Sequence, residues 1–493
     1  IWAMVAPGAP RVAAHLAYQD AIVDHAGGEG VYGEVFFATI ESAIFIEKDR
    51  DRLIDIGLRS IPDECRTAKA VKDLLQWHRE GKSWTEAREL ILAHHGDDNF
   101  TDAPQNIAFT LLGWLYGRDF EEAILMAANC GYDTDCTAAT LGAILGMILG
   151  PEGLPEKWVR PVGDKVVVSP PIKGFRAPAD LDELTRRTIR MGKHVLATWD
   201  TDIVVRGDAP TAWQRIDLAG SVKPVRLESP TINRYSLPED AQAEAQLSVT
   251  IDYGPEGPAV VRNGRKPLTI AITNHAPILL QGHLSLQLPD GWEGPRRTPL
   301  ALETGKTFEW QVEVACTDDR MPYEELALCW EREHDGSAWS VQRIPFTLVP
   351  AAAWTVWGPG SGEGTEISCP TNRIAWEKAF SMQERGIYRA ATKIANPKDR
   401  TVKLIAASNV PITAKLNGEV VIACPDTLEF MPAYHRAPKE QSIEFALAAG
   451  IHDLEIEITA DGEVPEVYVL PVSVKQTASP GSYYYHTDIL FGN

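Results

Sequence analysis

The chain has 493 residues, of which 44% are hydrophobic, and a formal net charge of −21. This length predicts two to four domains, and the hydrophobic fraction supplies enough apolar side chains for packed cores, which argues against a disordered chain. Because proteins that coat nucleic acid carry concentrated Lys and Arg, the acidic balance and the lack of a basic block argue against nucleic-acid binding.

The cysteines and the apolar runs argue against further classes of protein. The seven cysteines show no CxxC spacing, so neither a zinc knuckle nor a redox motif is predicted. Cys316 and Cys329 could bridge two strands of one domain or remain reduced. The longest apolar helix candidate, residues 136–149, is shorter than the ~20 residues that span a bilayer, so no membrane segment is expected. Residues 1–5 lack the basic region of a signal peptide, which indicates a start inside a domain and leaves the compartment unassigned.

Residues 1–200 are predicted to form an all-helical domain, because their apolar residues recur at helical spacing. Ser83-Trp84-Thr85-Glu86 has the spacing of a capping box, which predicts a helix start at this point. The predicted helices cover residues 10–24, 35–45, 63–79, 83–93, 103–116, 120–129, 134–149 and 180–198.

After Trp199 the pattern changes to short runs rich in Val, Ile and Thr, separated by Pro and Gly, as in β-sandwiches. Residues 201–244 are interpreted as a connecting segment, and residues 245–350 as an immunoglobulin-like or fibronectin-like sandwich. The predicted strands of this sandwich lie near residues 247–253, 268–273, 284–288 and 308–314.

Residues 351–493 are predicted to form a jelly-roll-like sandwich, a shape found among carbohydrate-binding modules. The Gly/Pro/Ser stretch 358–364 predicts a break between the two sandwiches, near residues 351–365. Asn417-Gly418 is a strong hairpin signal. Predicted strands lie at residues 388–394, 402–407, 412–416, 420–423, 442–447, 453–459 and 466–470. Three tryptophans could stack on sugar rings or pack inside a sandwich, namely Trp354, Trp357 and Trp376.

The stretch with the clearest chemistry is Gly131-Tyr132-Asp133-Thr134-Asp135, at the start of a predicted helix. Two carboxylates two residues apart can converge on one point, and hard divalent cations prefer such oxygen ligands. The alternative is that Asp133 caps the helix while Asp135 adds a favourable charge to its first turn.

Small residues recur every fourth position along this helix, at Ala138, Gly142, Gly146 and Gly150. A smooth helix side predicts close packing against a neighbour, which would bury the aspartate-bearing turn near the domain centre. Buried carboxylates need a counter-charge, and a cation supplies one.

These residues resemble a known family. Gly131–Asp135, the small-residue helix and Leu154-Pro155-Glu156-Lys157-Trp158 resemble the C-terminal metal motif of the ADP-ribosylglycohydrolase family. The segment 16–33, with His25 and Gly30-Val31-Tyr32-Gly33, resembles its mid-domain part, and residues 106–112 and 119–124 resemble the helices before the motif. The resemblance covers residues 1–200, so the expected fold is multidomain: an all-α ADP-ribosylglycohydrolase-like domain followed by two all-β sandwich domains.

The resemblance implies two Mg²⁺ or Mn²⁺ ions in the intact protein, with Asp133 and Asp135 as ligands. The family often has a hydroxyl ligand next, where this chain has Cys136, whose sulfur is a poor Mg²⁺ ligand. Thr137 is the alternative ligand. The family's N-terminal acidic motif and acid/base glutamate have no counterpart here, so the catalytic glutamate is expected upstream of Ile1. Either a segment is missing from the chain, or the site is incomplete and inactive.

Three further residues are candidates by the same resemblance. His25 and Tyr32 are expected to contact the substrate, although a structural histidine and a packing tyrosine are the alternatives. Asn106 is expected to hydrogen-bond the loop that carries the aspartates, unless it is a solvated helix residue. Cys136 is placed with Asn106 in the surroundings of the ions.

The predicted function is divalent-metal-dependent hydrolysis of a glycosidic bond at a ribose-like sugar. One alternative is a glycoside hydrolase that acts on a glycan or a simple furanoside, which the appended sandwiches favour. The other is a non-catalytic protein with a decayed helical domain, in which the β-sandwiches bind a glycan or a partner. The expected partner is a small-molecule or glycan substrate, with neither nucleic acid nor membrane.

Overall fold

The computed structural model describes most of the chain, in two compact units. One unit comprises residues 1–229 and 236–245, and the other comprises residues 230–235 and 246–493. Part of the predicted connecting segment, residues 207–217 and 238–244, lies outside the described residues. The residues not described are 26, 171, 200, 207–217, 238–245, 262–263, 296, 317–323, 335–336, 382–383, 429, 431–436, 463–464, 475–483 and 493.

The first unit is helical, as predicted. Its helices are α1 (Trp2–Val5), α2 (Pro10–His25), α3 (Glu29–Ala43), α4 (Arg50–Leu58), α5 (Arg66–Arg79), α6 (Trp84–His95), α7 (Ala103–Tyr116), α8 (Phe120–Asn129), α9 (Thr134–Leu149), α10 (Glu156–Val159), α11 (Leu181–Thr198) and α12 (Leu218–Ser221). The capping box at Ser83 is confirmed, with both of its reciprocal hydrogen bonds present. The short helix α4 was not predicted, because its nine residues carry four charges and show little apolar periodicity.

Helix α7 is the centre of this unit. Every residue from Pro104 to Leu115 is buried, and the helix packs against α3, α5, α6, α8 and α9. A helix that is apolar all round is stable only inside a protein core, and the surrounding helices complete that core. None of the helices in the described ranges is long and apolar enough to cross a membrane.

The second unit is built of strands in several sheets. The strands of its first half are β1 (Ile232–Leu237), β2 (Leu247–Asp252), β3 (Ala259–Val260), β4 (Arg265–Asn274), β5 (Leu280–Gln287), β6 (Trp292–Glu293), β7 (Thr298–Leu302), β8 (Thr307–Cys316), β9 (Glu324–His334) and β10 (Ser337–Pro350). They form one sheet in the order β1-β2-β4-β8-β6 and another in the order β3-β10-β9-β5-β7. Alternating burial along β2 and β4 shows that one face of each strand points into a core.

The second half contains two further sheets that share one hydrophobic core. Its strands are β11 (Ala352–Trp357), β12 (Thr365–Cys369), β13 (Gly386–Asn396), β14 (Arg400–Ser408), β15 (Ile412–Leu416), β16 (Glu419–Cys424), β17 (Ser442–Leu447), β18 (Gly450–Ala460), β19 (Val467–Ser473) and β20 (Leu490–Phe491). One sheet has the order β12-β11-β13-β18-β15-β16 with β20 added to β13, and the other has the order β17-β14-β19.

Three boundary details differ from the sequence analysis. Strand β1 pairs with β2 although it lies in the predicted connecting segment, because its half-buried residues show no period-two alternation. The stretch 358–364 is a hairpin loop between β11 and β12 rather than a break between domains, since the same Gly/Pro/Ser composition suits both. Cys316 and Cys329 lie in strands of different sheets and are not joined by a disulfide.

The hairpin signal at Asn417-Gly418 is confirmed. These residues join β15 to β16 with φ values of 51° and 85°. Positive φ at both central positions is the geometry of the two-residue turn that matches the twist of paired strands.

We expect the substitution Gly418→Ala to lower the free energy of unfolding of the second unit by about 1 kcal/mol, because a side chain disfavours the left-handed region. The cost should be purely conformational, since an added Cβ would meet no atom within 4 Å. Gly362→Ala is the matched control, because Gly362 has equally open surroundings and no left-handed φ. Equal urea midpoints for the two variants would contradict this account.

Candidate metal centre and ligand cavity

The loop between α8 and α9 carries the two aspartates and is held at both ends. Gly131 and Tyr132 both have positive φ, of 80° and 63°, which turns the chain sharply into α9. Arg88 of α6 donates a hydrogen bond of 3.0 Å to the carbonyl oxygen of Cys130. The Tyr132 ring lies against Phe109 of α7, with centroids 5.8 Å apart. A left-handed non-glycine residue persists only where its surroundings hold it.

Asn106 fixes the other end of the loop. Its Oδ1 accepts a hydrogen bond of 3.2 Å from the backbone N–H of Asp133. Its Nδ2 donates to the carbonyl oxygens of Phe100 and Asp102, at 2.8 and 2.9 Å. With all three bonds made and 8% of its surface exposed, Asn106 is not a solvated helix residue. It ties the aspartate-bearing loop to the first turn of the buried helix α7.

The first turn of α7 is anchored in its turn by a carboxylate network. Arg66 of α5 binds both carboxylate oxygens of Asp102, at 3.0 and 2.9 Å. Glu29 of α3 accepts hydrogen bonds from the backbone N–H groups of Arg66 and Thr67, at 2.7 and 2.9 Å. Helices α3, α5 and α7 are thereby joined next to the loop that Asn106 holds.

The two aspartates are placed as metal ligands would be. Asp133 is the N-cap residue of α9, yet its side chain makes no capping hydrogen bond, so the capping alternative does not account for it. Asp135 lies in the first turn of the same helix. One ligand atom from each of Asp133, Asp135 and Cys136 lies within 4.8 Å of the others. Two carboxylates facing one point offer the oxygen donors that Mg²⁺ and Mn²⁺ prefer.

The third position does not offer a good ligand for such an ion. Partial burial, a hydrogen bond to Asp133 and the charges of the two aspartates raise the pKa of the Cys136 thiol. Sulfur is a poor ligand for a hard cation. Thr137 is buried, and its hydroxyl donates to the carbonyl oxygen of Thr134, at 3.1 Å. The residues present thus fit one cation better than two.

The expectation that the aspartate-bearing turn is buried is wrong for this structure. Asp135 and Cys136 are exposed and Asp133 is half-buried. Helix α9 packs through Thr137, Leu141 and Ile144, so its bulky residues decide which face is buried. The small-residue side is rotated away from that face, and an added Cβ at Gly146 would meet no atom within 4 Å.

A cavity of about 460 Å³ brings several of the predicted residues together. Its walls come from α3, α7 and α9, with α1 at one end. His25, Asn106, Asp133 and Cys136 all line it. The candidate metal ligands therefore lie at a space large enough for a small ligand.

His25 lies at the rim of the cavity, at the end of α2. Its Nδ1 is 2.6 Å from a carboxylate oxygen of Asp24, and 54% of its side chain is exposed. The ring packs over Gly30, where an added Cβ would lie 2.3 Å from the imidazole. The glycine thus makes room for an imidazole that is held by a carboxylate and open to a ligand.

Tyr32 does not line this cavity, so its predicted contact with the substrate finds no support. Its hydroxyl donates to the carbonyl oxygen of Arg226, at 3.2 Å, and accepts from the N–H of Glu228, at 2.5 Å. Burial raises the pKa of Tyr32 to about 12. The tyrosine joins α3 to the segment near residue 227, a packing role that its position in the Gly-rich turn did not reveal.

Two carboxyl groups of the cavity were missed by the sequence analysis. Glu34 and Glu41 of α3 both line it, and burial raises the pKa of both side chains. The signal was present in the sequence, because Glu41 follows the run Phe36-Phe37-Ala38-Thr39-Ile40. An acidic residue at a core-facing position of an apolar helix marks a functional candidate.

Comparisons with solved structures establish no shared fold. An anti-sigma factor domain-containing protein from Clostridium clariflavum aligns with 53% of this chain and 93% of its own, at 10% identity and a TM-score of 0.20. The α-L-rhamnosidase from Aspergillus terreus aligns with 46% of this chain and 26% of its own, at 11% identity and a TM-score of 0.15.

Comparisons of sequence are informative for the helical unit. An ADP-ribosylarginine hydrolase Tri1 from Pseudomonas putida is 46% identical over 45 residues, which span 9% of this chain and 12% of that protein. Residues 1–194 match the model of the ADP-ribosylglycohydrolase family. The match covers α1 to most of α11, including the aspartate-bearing loop and Asn106. The helical domain of this chain is therefore similar to the ADP-ribosylglycohydrolase family over residues 1–194.

Proposed function

We propose that the helical domain hydrolyses a glycosidic bond of an ADP-ribosyl group, with a divalent cation bound by Asp133 and Asp135. The observation that carries this proposal is the convergence of these two carboxylates at the cavity of a domain that matches the family. The similarity to a protein described as an ADP-ribosylarginine hydrolase favours ADP-ribose linked to arginine as the first substrate to test.

The donor set supports Mg²⁺ or Mn²⁺. Both aspartate side chains offer oxygen, the capping role is not used, and the solvent-exposed position leaves room for coordinated water. A bound cation would orient the sugar hydroxyls and stabilise developing charge. Asn106 holds the Asp133 backbone in place for this task, and His25 at the rim would contact the part of the substrate outside the metal site.

The sheets of the β-strand unit suggest which folds it contains, but they do not indicate a function for it. We infer an immunoglobulin-like sandwich followed by a jelly-roll-like one, on the basis of the paired sheets. The tryptophans do not favour glycan binding, because Trp354 and Trp376 are buried. Trp357 has Arg389 5.6 Å from its ring centroid and Gly364 packed against the ring. The ADP-ribosyl substrate thus remains ahead of the glycan alternative and of the non-catalytic one.

Asp135→Ala should weaken Mg²⁺ and Mn²⁺ binding roughly tenfold or more in titration calorimetry, since half of the carboxylate donors are lost. Asp182→Ala is the matched control. Asp182 occupies the same second position of an α-helix, at the start of α11, and is exposed like Asp135. Both substitutions lose the same first-turn charge, so only the metal site distinguishes them. Equal affinities in the two variants would refute the assignment.

Cys136→Ser should strengthen Mg²⁺ binding several-fold, because a hydroxyl oxygen is a better ligand for a hard cation than a thiol sulfur. Cys136→Ala removes the sulfur without adding an oxygen and should leave the affinity near that of the natural chain. Calorimetry on the three proteins compares them directly. If Ser and Ala behave alike, then this position does not contact the ion.

The substrate is tested with ADP-ribosylated arginine peptide, other ADP-ribose derivatives and nitrophenyl furanosides and pyranosides, each with and without EDTA. We expect turnover of ADP-ribosyl substrates that EDTA abolishes and Mg²⁺ restores, because the cation orients the ribose hydroxyls. The chain should be assayed in its longest natural form.

Two other outcomes favour the alternatives. Turnover confined to the nitrophenyl glycosides would support a glycoside hydrolase. The absence of metal-dependent turnover on every substrate, together with glycan binding by the chain, would support a non-catalytic binding protein.

A further inference from the structure

Glu41 occupies a place in the cavity that the proposed metal site does not explain. It lies on the face of α3 that also carries Glu34, Phe37 and Ala38, and all four side chains line the cavity. The spacing of three, four and seven residues puts them along one stripe of the helix. Asn106 of α7 and Asp133 at the start of α9 line the same cavity. A ligand that reaches the aspartates therefore shares this space with Glu41.

An ionised carboxyl group loses hydration free energy when it is buried. A carboxyl group at this position is therefore expected to have a role that offsets this cost. Desolvation disfavours the ionised form and raises the pKa of Glu41 to about 7. No hydrogen bond contributes to this balance. A neutral carboxyl group is both a donor and an acceptor of hydrogen bonds, whereas a carboxylate only accepts.

Glu34 differs from Glu41 in its surroundings. Burial is the largest cause that raises the pKa of Glu34. The negative charges of Asp20 and Asp24 of α2 raise it further. Those two aspartates do not act on Glu41. The titratable side chains that share the cavity with Glu41 are His25, Glu34, Asp133 and Cys136.

We propose that Glu41 is a ligand-contacting residue of this cavity, whose carboxyl group donates a hydrogen bond to an oxygen atom of the bound ADP-ribosyl group. The inference rests on the proposed function and adds a residue to it. A donor on α3 would hold an acceptor oxygen of the ligand while the cation holds the ribose hydroxyls. Ligand affinity should then depend on the protonation of a residue that lies on α3, far in sequence from the metal motif.

The test is calorimetric titration of the 493-residue chain with ADP-ribose and Mg²⁺ at about pH 6 and about pH 8.5. Affinity should fall roughly tenfold or more at the higher pH, because only the protonated fraction can donate. Glu41→Gln keeps a donor that does not titrate, so this variant should bind with little pH dependence and more tightly than the natural chain at about pH 8.5. Glu41→Ala should bind weakly at both values.

The variants separate Glu41 from its neighbours. A pH dependence of binding that persists in Glu41→Gln would come from another group and would overturn the proposal. If the pH dependence of ADP-ribose binding is lost in Glu34→Gln rather than in Glu41→Gln, then the proposal is overturned as well. If the natural chain binds no ADP-ribose at any pH, then the proposed function fails and the role of Glu41 fails with it. Binding without pH dependence contradicts only the role of Glu41.

A measurement without ligand checks that the carboxyl group holds its proton in the folded chain. The folded-state pKa is raised from 4.5 to about 7, so stability is fully present below the unfolded value and is lost as the pH rises through this window. Glu41→Gln should therefore have a higher urea midpoint than the natural chain at about pH 8, and this advantage should shrink toward about pH 4. An advantage that is equal at both values would overturn the proposal.

Discussion

The three hydrogen bonds of the Asn106 side chain are the interaction on which the candidate site depends. They join the N–H of Asp133 to two carbonyl groups at the start of α7. Because α7 is buried from Pro104 to Leu115, it cannot shift without disturbing the core around it. The loop that carries the aspartates is exposed, yet its position is set by a helix that is buried from Pro104 to Leu115. An exposed metal site with a rigid backbone is the arrangement that pre-organised binding requires.

These hydrogen bonds explain how the candidate site can be exposed to solvent while its backbone is held in place. The left-handed conformation of Tyr132, next to that of Gly131, is unfavourable for a residue with a side chain. The loop would leave this conformation if its two ends were not held. Arg88 holds one end and Asn106 the other. The aspartate side chains are thus directed by backbone hydrogen bonds rather than by burial among side chains. The sequence analysis expected a cation because buried carboxylates need a counter-charge. The aspartates are not buried, so the geometry of the loop is what supports the proposed metal site.

Prediction from sequence succeeded where local patterns decide the structure. Helical spacing, the capping box at Ser83 and the Asn417-Gly418 turn depend on neighbours in the chain, and all three are confirmed. Prediction was less successful where contacts with distant parts of the chain decide the structure. The small-residue side of α9 faces away from the core. The Tyr32 hydroxyl binds the backbone near residue 227 rather than lining the cavity. Asp133 and Asp135 were predicted as ligands from the family resemblance together with their spacing, and their ligand atoms do lie within 4.8 Å of each other. Glu41 was missed because its importance comes from the cavity, which no local pattern reveals.

The cavity also separates two kinds of carboxyl group by environment alone. Asp135 lies at the exposed start of a helix, where water and a cation can reach it. Glu41 lies on a helix wall where desolvation dominates and the proton is retained up to about neutral pH. Groups of the same chemistry can serve as cation ligand and as hydrogen-bond donor within one site only if their surroundings differ in this way. An ADP-ribosyl ligand offers both kinds of partner, hydroxyl groups for the cation and acceptor oxygens for the donor, so the division between α9 and α3 matches the chemistry of the proposed substrate.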